Sequence, residues 1–97
     1  MLVAYVKITI DENDRQTALD ALLAEVPVVR AMAGCVTFSP LIDPTEKATL
    51  FILHEWELQD YFTEYLSSQS FAKVNSMLGP LFSAPVISRR FDARIIQ

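Results

Sequence analysis

Gly34-Cys35-Val36-Thr37-Phe38-Ser39-Pro40-Leu41, then Ile42-Asp43-Pro44-Thr45-Glu46-Lys47, then Ala48-Thr49-Leu50-Phe51-Ile52-Leu53-His54-Glu55-Trp56-Glu57 is the stretch that decides the fold. Two apolar runs flank a polar segment in which Pro44 presets the first bend of a tight turn. The flanks read as strands, Cys35 to Leu41 and Ala48 to Glu57, joined as a hairpin. Alternation in the second run puts Leu50, Ile52, His54 and Trp56 on one face and Thr49, Phe51, Leu53 and Glu55 on the other.

Toward the N-terminus, Leu2 to Ile10 alternates in the same way. Leu2, Ala4, Val6, Ile8 and Ile10 share one face, and Val3, Tyr5, Lys7 and Thr9 the other. Apolar bulk on both faces implies helices over one and a partner sheet over part of the other. Asp11 to Asp14 is a polar turn, with Asn13 or Asp14 predicted to cap a helix from Arg15 to Glu25. Ala18, Leu19, Leu22, Leu23 and Val26 form its apolar stripe. Pro27 is expected to break the helix and open a short turn from Val28 to Met32, which Gly34 ends.

Beyond the hairpin, Gln59 or Asp60 is predicted to cap a helix carrying Tyr61, Phe62, Tyr65 and Leu66. Ser70 recaps a second segment bearing Phe71, Val74, Met77 and Leu78, which Gly79-Pro80 stops. Val86 to Asp92 is the last strand. The order βαββαβ is an α+β, ferredoxin-like arrangement: helices on one face of a four-stranded antiparallel sheet, in one domain spanning 1–97.

Composition narrows the function. Apolar residues make up 52% of the chain and mean hydropathy is +0.27, high for a lone small domain, so a buried oligomer interface is expected. A net charge of −4 and a pI near 4.7 argue against a nucleic-acid surface. Arg89, Arg90 and Arg94 form the one cationic cluster, read as a solvated strand edge or an interface pairing with acidic groups in preference to an anion-binding site. No apolar run approaches the ~20 residues of a membrane helix, and no leader-like segment precedes the first strand, so a cytoplasmic protein is expected. The single Cys35 and single His54 cannot build a closed zinc site, and two glycines form no phosphate-cradling or dinucleotide fingerprint. Neither a metal nor a cofactor is expected.

The Gly34-Cys35 pair with Phe38 three residues on, the Asp43-Pro44 turn, the strand ending Glu55-Trp56 and the run Tyr65-Leu66-Ser67-Ser68-Gln69-Ser70-Phe71 resemble the antibiotic biosynthesis monooxygenase family. Two polar positions depart from its pattern: His54 stands for the usual Glu, and Tyr65 for the usual helix His. The resemblance implies a dimeric α/β barrel, a homodimer closed through the sheet faces. It also implies a cofactor-independent monooxygenase that brings a small planar phenol or quinol together with molecular oxygen. Relatives that degrade heme carry an Asn on the first strand and the helix His; Val6 and Tyr65 stand there, which disfavours that reaction.

On this reading His54 is the candidate general base, since imidazole titrates near neutrality. Trp56 can donate its indole N–H to an oxygenated intermediate, and Tyr65 can orient a substrate oxygen. Phe38, Phe62, Phe71 and Met77 are candidate substrate-binding walls, and Cys35 reads as an inert buried thiol. Two alternatives stay open. One is a small-molecule isomerase, favoured if Ser68 or Thr37 turns into the pocket; the other is a non-enzymatic dimer that binds a hydrophobic ligand or serves as a stress-associated protein.

Overall fold

The computed structural model describes residues 1–97. Strand β1 (Leu2–Thr9) leads to helix α1 (Arg15–Arg30), then to the hairpin β2 (Cys35–Ile42) and β3 (Thr49–Trp56). Helices α2 (Gln59–Leu66) and α3 (Gln69–Leu78) follow, then a single 3-10 turn (Gly79–Leu81) and β4 (Ile87–Asp92). The sheet order is β2-β3-β1-β4, and every neighbouring pair is antiparallel. The ferredoxin-like α+β class read from the sequence is the fold observed.

Period-two alternation selects the face that the helices cover. Leu2, Ala4 and Ile8 of β1, Leu50, Ile52, His54 and Trp56 of β3, and Phe38 of β2 are buried beneath Ala18, Leu22 and Val29 of α1, Phe62 and Tyr65 of α2, and Val74 and Leu78 of α3. Each such large apolar side chain contributes about 1.5–3 kcal/mol relative to an exposed position. The register sets Ala4 opposite His54 on one side and Arg90 on the other, while Phe38 lies opposite His54 from β2.

Helix α1 corrects the expected break. It runs unbroken through Pro27, because the carbonyl that loses its bond is that of Leu23, and both residues lie on the exposed face where water can serve. For the same reason Leu23 leaves the predicted stripe, being 49% exposed, while Ala21 and Glu25 are buried in its place. Glu25 is accommodated because Ser70 Oγ donates to its Oε1 at 3.0 Å and Lys73 Nζ to its Oε2 at 3.5 Å, tying α1 to α3.

The caps also differ from expectation. Asp14 makes no side-chain cap bond; Asp11 Oδ1 instead accepts from the Asn13 amide in the preceding turn. Leu58, not Gln59 or Asp60, occupies the cap of α2, and Ser68 rather than Ser70 caps α3, its Oγ accepting from the Phe71 amide at 3.2 Å. The hairpin turn is as read: Asp43 Oδ1 accepts from both the amide and the hydroxyl of Thr45.

Gly34 enters β2 at φ +78°, a left-handed conformation, and a Cβ there would overlap the Tyr61 ring. Its carbonyl also accepts from Glu57 N at 2.8 Å, so the backbone cannot swing away without losing that bond. Gly34→Ala should therefore lower unfolding stability by roughly 2–4 kcal/mol, combining backbone strain with overpacking against α2. Urea titration checks this, and a loss under about 1 kcal/mol would show that the junction yields easily.

Candidate functional site

Between the sheet and the helices, on the β1–β4 side, lies a cavity of about 300 Å³. Its floor is Val6, Ile8, Ile52 and His54, and its helical wall is Phe62, Tyr65 and Leu66 of α2 with Phe71, Val74, Asn75 and Leu78 of α3. Ser88 and Arg90 of β4, with Val86 and Phe82 before that strand, complete the rim. The α3 contribution follows i, i+3, i+4, i+7 spacing, so one stripe of that helix faces the space. This volume is at the small end of the usual range for ligand pockets, about 300–1,000 Å³.

The β3 alternation brings His54 to this cavity from one side while Trp56, two residues on, is wholly buried behind it. The two rings stack at 6.4 Å between centroids, and Trp56 Nε1–H donates to His54 Nδ1 at 3.2 Å. Indole nitrogen is only a donor, so Nδ1 must hold a lone pair and the neutral imidazole carries its proton on Nε2. No buried side-chain nitrogen or oxygen lacks a partner. Nε2, which has no protein partner, therefore reaches open space, and it offers a hydrogen-bond donor there.

Electrostatics agree with the geometry. Burial, aided by the positive charge of Arg90, pulls the His54 pKa down to about 4, so the ring is neutral at physiological pH. Burial likewise holds the Tyr65 phenol protonated, its pKa pushed far above the ordinary value, with Cys35 and Glu25 adding to the shift. Phe38 and Phe62 meet the imidazole edge-on, each at 5.2 Å, and Tyr65 leans on it at 5.3 Å. The Arg90 guanidinium lies 5.0 Å above the centre of the Phe62 ring, a cation–π contact.

Set against the sequence reading, His54, Tyr65, Phe62 and Phe71 all reach the cavity. Three candidates do not. Met77 is 47% exposed on the far side of α3, because Val74 and Leu78 occupy the inward stripe. Phe38 is wholly buried and serves as the wall behind His54, not as part of the cavity. Trp56 has its N–H engaged with His54 and no surface to show, so it positions the imidazole and cannot itself donate to a bound oxygen. With Nδ1 accepting from indole, the neutral His54 ring presents its Nε2–H to the cavity.

Thr37 and Ser68 also point elsewhere. Thr37 Oγ1 donates to Glu55, its cross-strand partner on the outer face, and Ser68 caps α3. Arg90 is the main residue that sequence reasoning missed. Grouped with Arg89 and Arg94 it looked like a solvated edge, and only the β4 register, opposite Ala4, turns it to the helix side. No group of three or more His, Cys, Asp or Glu side chains is placed to hold a metal ion, and no helix is long and apolar enough to cross a membrane.

The antibiotic biosynthesis monooxygenase family profile matches residues 1–76. The chain belongs to this family. Solved structures share the fold at low identity. A Deinococcus radiodurans protein provisionally assigned as an antibiotic biosynthesis monooxygenase superposes with a TM-score of 0.91 at 12% identity, over 100% of this chain and 96% of its own. A structure described as an antibiotic biosynthesis monooxygenase gives 0.88 at 14%, covering 98% and 100%. A Mycobacterium tuberculosis protein gives 0.88 at 15%, covering 98% and 96%. No curated protein matches the sequence.

A buried neutral His54 has a consequence for stability. Its folded pKa lies below the unfolded value, so between about pH 6.5 and 4 the unfolded chain binds the extra proton and stability falls as pH drops. The full loss is about 3 kcal/mol at 1.36 kcal/mol per pKa unit. Denaturant unfolding from pH 7.5 to 4 should show it, and His54→Gln, which keeps an acceptor for Trp56 but does not titrate, should show a slope shallower by that amount. Parallel curves for the two proteins would mean that His54 ionises freely in the fold.

Proposed function

We propose that this family member is a cofactor-independent monooxygenase acting on a small planar phenol or hydroquinone-type molecule, with molecular oxygen as co-substrate. The observation that carries the reading is the cavity: aromatic walls close on a space whose polar lining, beside Tyr65, Asn75 and Ser88, includes two groups that present only donors to it, the Nε2–H of His54 and the guanidinium of Arg90. Donors of that kind stabilise negative charge developing on a substrate oxygen. Each 1.36 kcal/mol by which they favour the anion lowers the pKa of the bound substrate by about one unit, so the substrate can be held as its anion without a protein base.

The remaining chemistry belongs to substrate and oxygen. The electron-rich anion gives one electron to O2, the resulting pair combines at carbon, and the hydroperoxide loses water. For an activated methylene the balance is CH2 + O2 → C=O + H2O, with four electrons passing from carbon to oxygen. The protein aligns the ring on Phe62, Phe71 and Tyr65, holds the oxygen anion, and keeps bulk water out. An isomerase would need a group that takes and returns a proton, and the neutral imidazole with its lone pair committed to Trp56 does not favour it.

The same reading includes a homodimer through the outer sheet faces. Phe51, Tyr5 and Phe91 form an aromatic row across β3, β1 and β4, with centroid spacings of 6.4 and 6.2 Å, on a face that also carries Val3, Leu41, Leu53 and Ile87. Apolar surface of this extent calls for a cover, and a second copy supplies one of matching character. Sedimentation equilibrium is expected to give a dimer mass, and Tyr5→Asp a monomer; a monomeric wild type would remove the dimer from the proposal.

Oxygen uptake with anthrone-like and naphthohydroquinone-like compounds tests the reaction. His54→Ala should lower the protein-dependent rate by roughly 10²-fold, the scale of removing one oxyanion donor, whereas His54→Gln, which retains an N–H, should keep most of it. Equal losses in both variants would argue for a base instead of a donor. Uptake at the spontaneous rate across the panel would favour a non-catalytic ligand-binding protein.

A further inference from the structure

Arg90 is an unpaired cation beside an apolar cavity. The chain holds 12 carboxylate side chains against 8 basic ones, yet the only ion pair in the structure joins Lys73 to Glu25. Arg90 makes neither a hydrogen bond nor a salt bridge within the chain; its guanidinium lies over the face of Phe62 at 5.0 Å. Nor does the cavity hold a carboxylate to answer it: the lining residues include no Asp or Glu. In an acidic protein, one guanidinium left free at an aromatic-walled cavity is not explained by a general excess of positive charge.

Its position suits a ligand. Alternation on β4 turns Arg90 inward with Ser88, and its cross-strand neighbour Ala4 is small and fully buried, leaving room for the long stem. The contact with the Phe62 face leaves the guanidinium N–H groups without a hydrogen-bond partner, free to meet an oxygen anion side by side. Arg90 also lines a second cleft of about 380 Å³, formed with Met1, Leu2, Glu57, Leu58, Gln59, Phe91 and Asp92, so the same side chain stands where the cavity meets the surface; the carboxylates of Glu57 and Asp92 share that cleft, but neither forms an ion pair with Arg90. His54 Nε2–H supplies a second, neutral donor from the floor.

We propose that the ligand of this cavity is a planar aromatic bearing an anionic oxygen group, with its ring against Phe62, Tyr65 and Phe71 and its charge on Arg90. This builds on the function proposed above by naming the charge of the substrate. It concerns binding alone, so it can fail or stand separately from the oxygenation.

The test is calorimetric titration of the dimer-competent full chain with two probes of one shape, 2-naphthoate and its neutral isostere 2-naphthamide, at pH 7.5. The wild type should prefer naphthoate by about tenfold or more, the scale of a charge-assisted hydrogen bond. Raising the salt concentration should shrink that preference, because the mouth of the cavity is open to solvent. Arg90→Gln should bring the ratio to within about twofold of unity by weakening naphthoate. Arg90→Lys should keep part of the preference through charge without the fork. Equal binding of the two probes, a preference that survives Arg90→Gln, or no naphthoate binding at millimolar concentration would each overturn the proposal. A retained preference with no oxygen uptake on any quinol would sink the oxygenase reading and leave this one standing; uptake on neutral phenols with no anion preference would do the reverse.

Discussion

The Trp56–His54 hydrogen bond sets the chemistry of the site. Two residues apart on β3, the side chains leave the strand on one face, and helix α2 packs over them through Phe62 and Tyr65. Buried polar groups cost a few kcal/mol when unpaired, so each ring holds the other in place: indole needs an acceptor and finds one only in an imidazole whose Nδ1 is bare. Burial then disfavours a second proton on that ring, and Arg90 disfavours it further. One hydrogen bond, with the burial around it, thereby fixes the tautomer and the charge of His54, and with them its polarity toward the cavity.

A site built this way is suited to holding charge more than to moving protons. Tyr65 is kept protonated by the same desolvation that keeps His54 neutral, and neither is tuned toward pH 7, where an efficient general base would lie. What the walls supply is low polarity, ring-shaped contact and donors. For a reaction in which the substrate provides the electrons and oxygen accepts them, the protein must bind the reactants, stabilise an anion and exclude water. Burial supports all three. It strengthens donor contacts inside the cavity and is compatible with the aromatic cluster formed by Phe38, His54, Trp56, Phe62, Tyr65 and Phe71.

Most of the fold was legible because alternation and turn chemistry are local properties. The faces of β1 and β3 follow from parity, and the Asp43-Pro44-Thr45 turn from its residue types. Errors arose where a distant partner decides the outcome. Pro27 reads as a breaker until it is found with Leu23 on the exposed face of α1, and Glu25 reads as surface until Ser70 and Lys73 arrive from α3. Met77 and Leu78 are adjacent apolar residues, and only the rotation of α3 against the sheet separates the exposed one from the buried one. In the site, the position of His54 was legible and its protonation was not, since the tautomer depends on where a neighbouring N–H points. Arg90 was hidden in a cluster of three arginines that strand parity divides between two faces.

That division matters for how a common scaffold acquires a particular ligand. The fold needs β4 only as a strand that pairs with β1, and every residue of β4 is exposed in the single chain, so packing places little demand on which side chains it carries. The core positions of β3 and α2 are constrained by packing; the edge strand is comparatively free. A cation introduced on its inward parity reaches the cavity rim without disturbing the core, whereas a charge at the position of Phe38 or Trp56 would be fully buried with no partner and cost several kcal/mol. The polar identity of the site can therefore vary where the sheet ends while the aromatic floor and walls stay as the fold requires them.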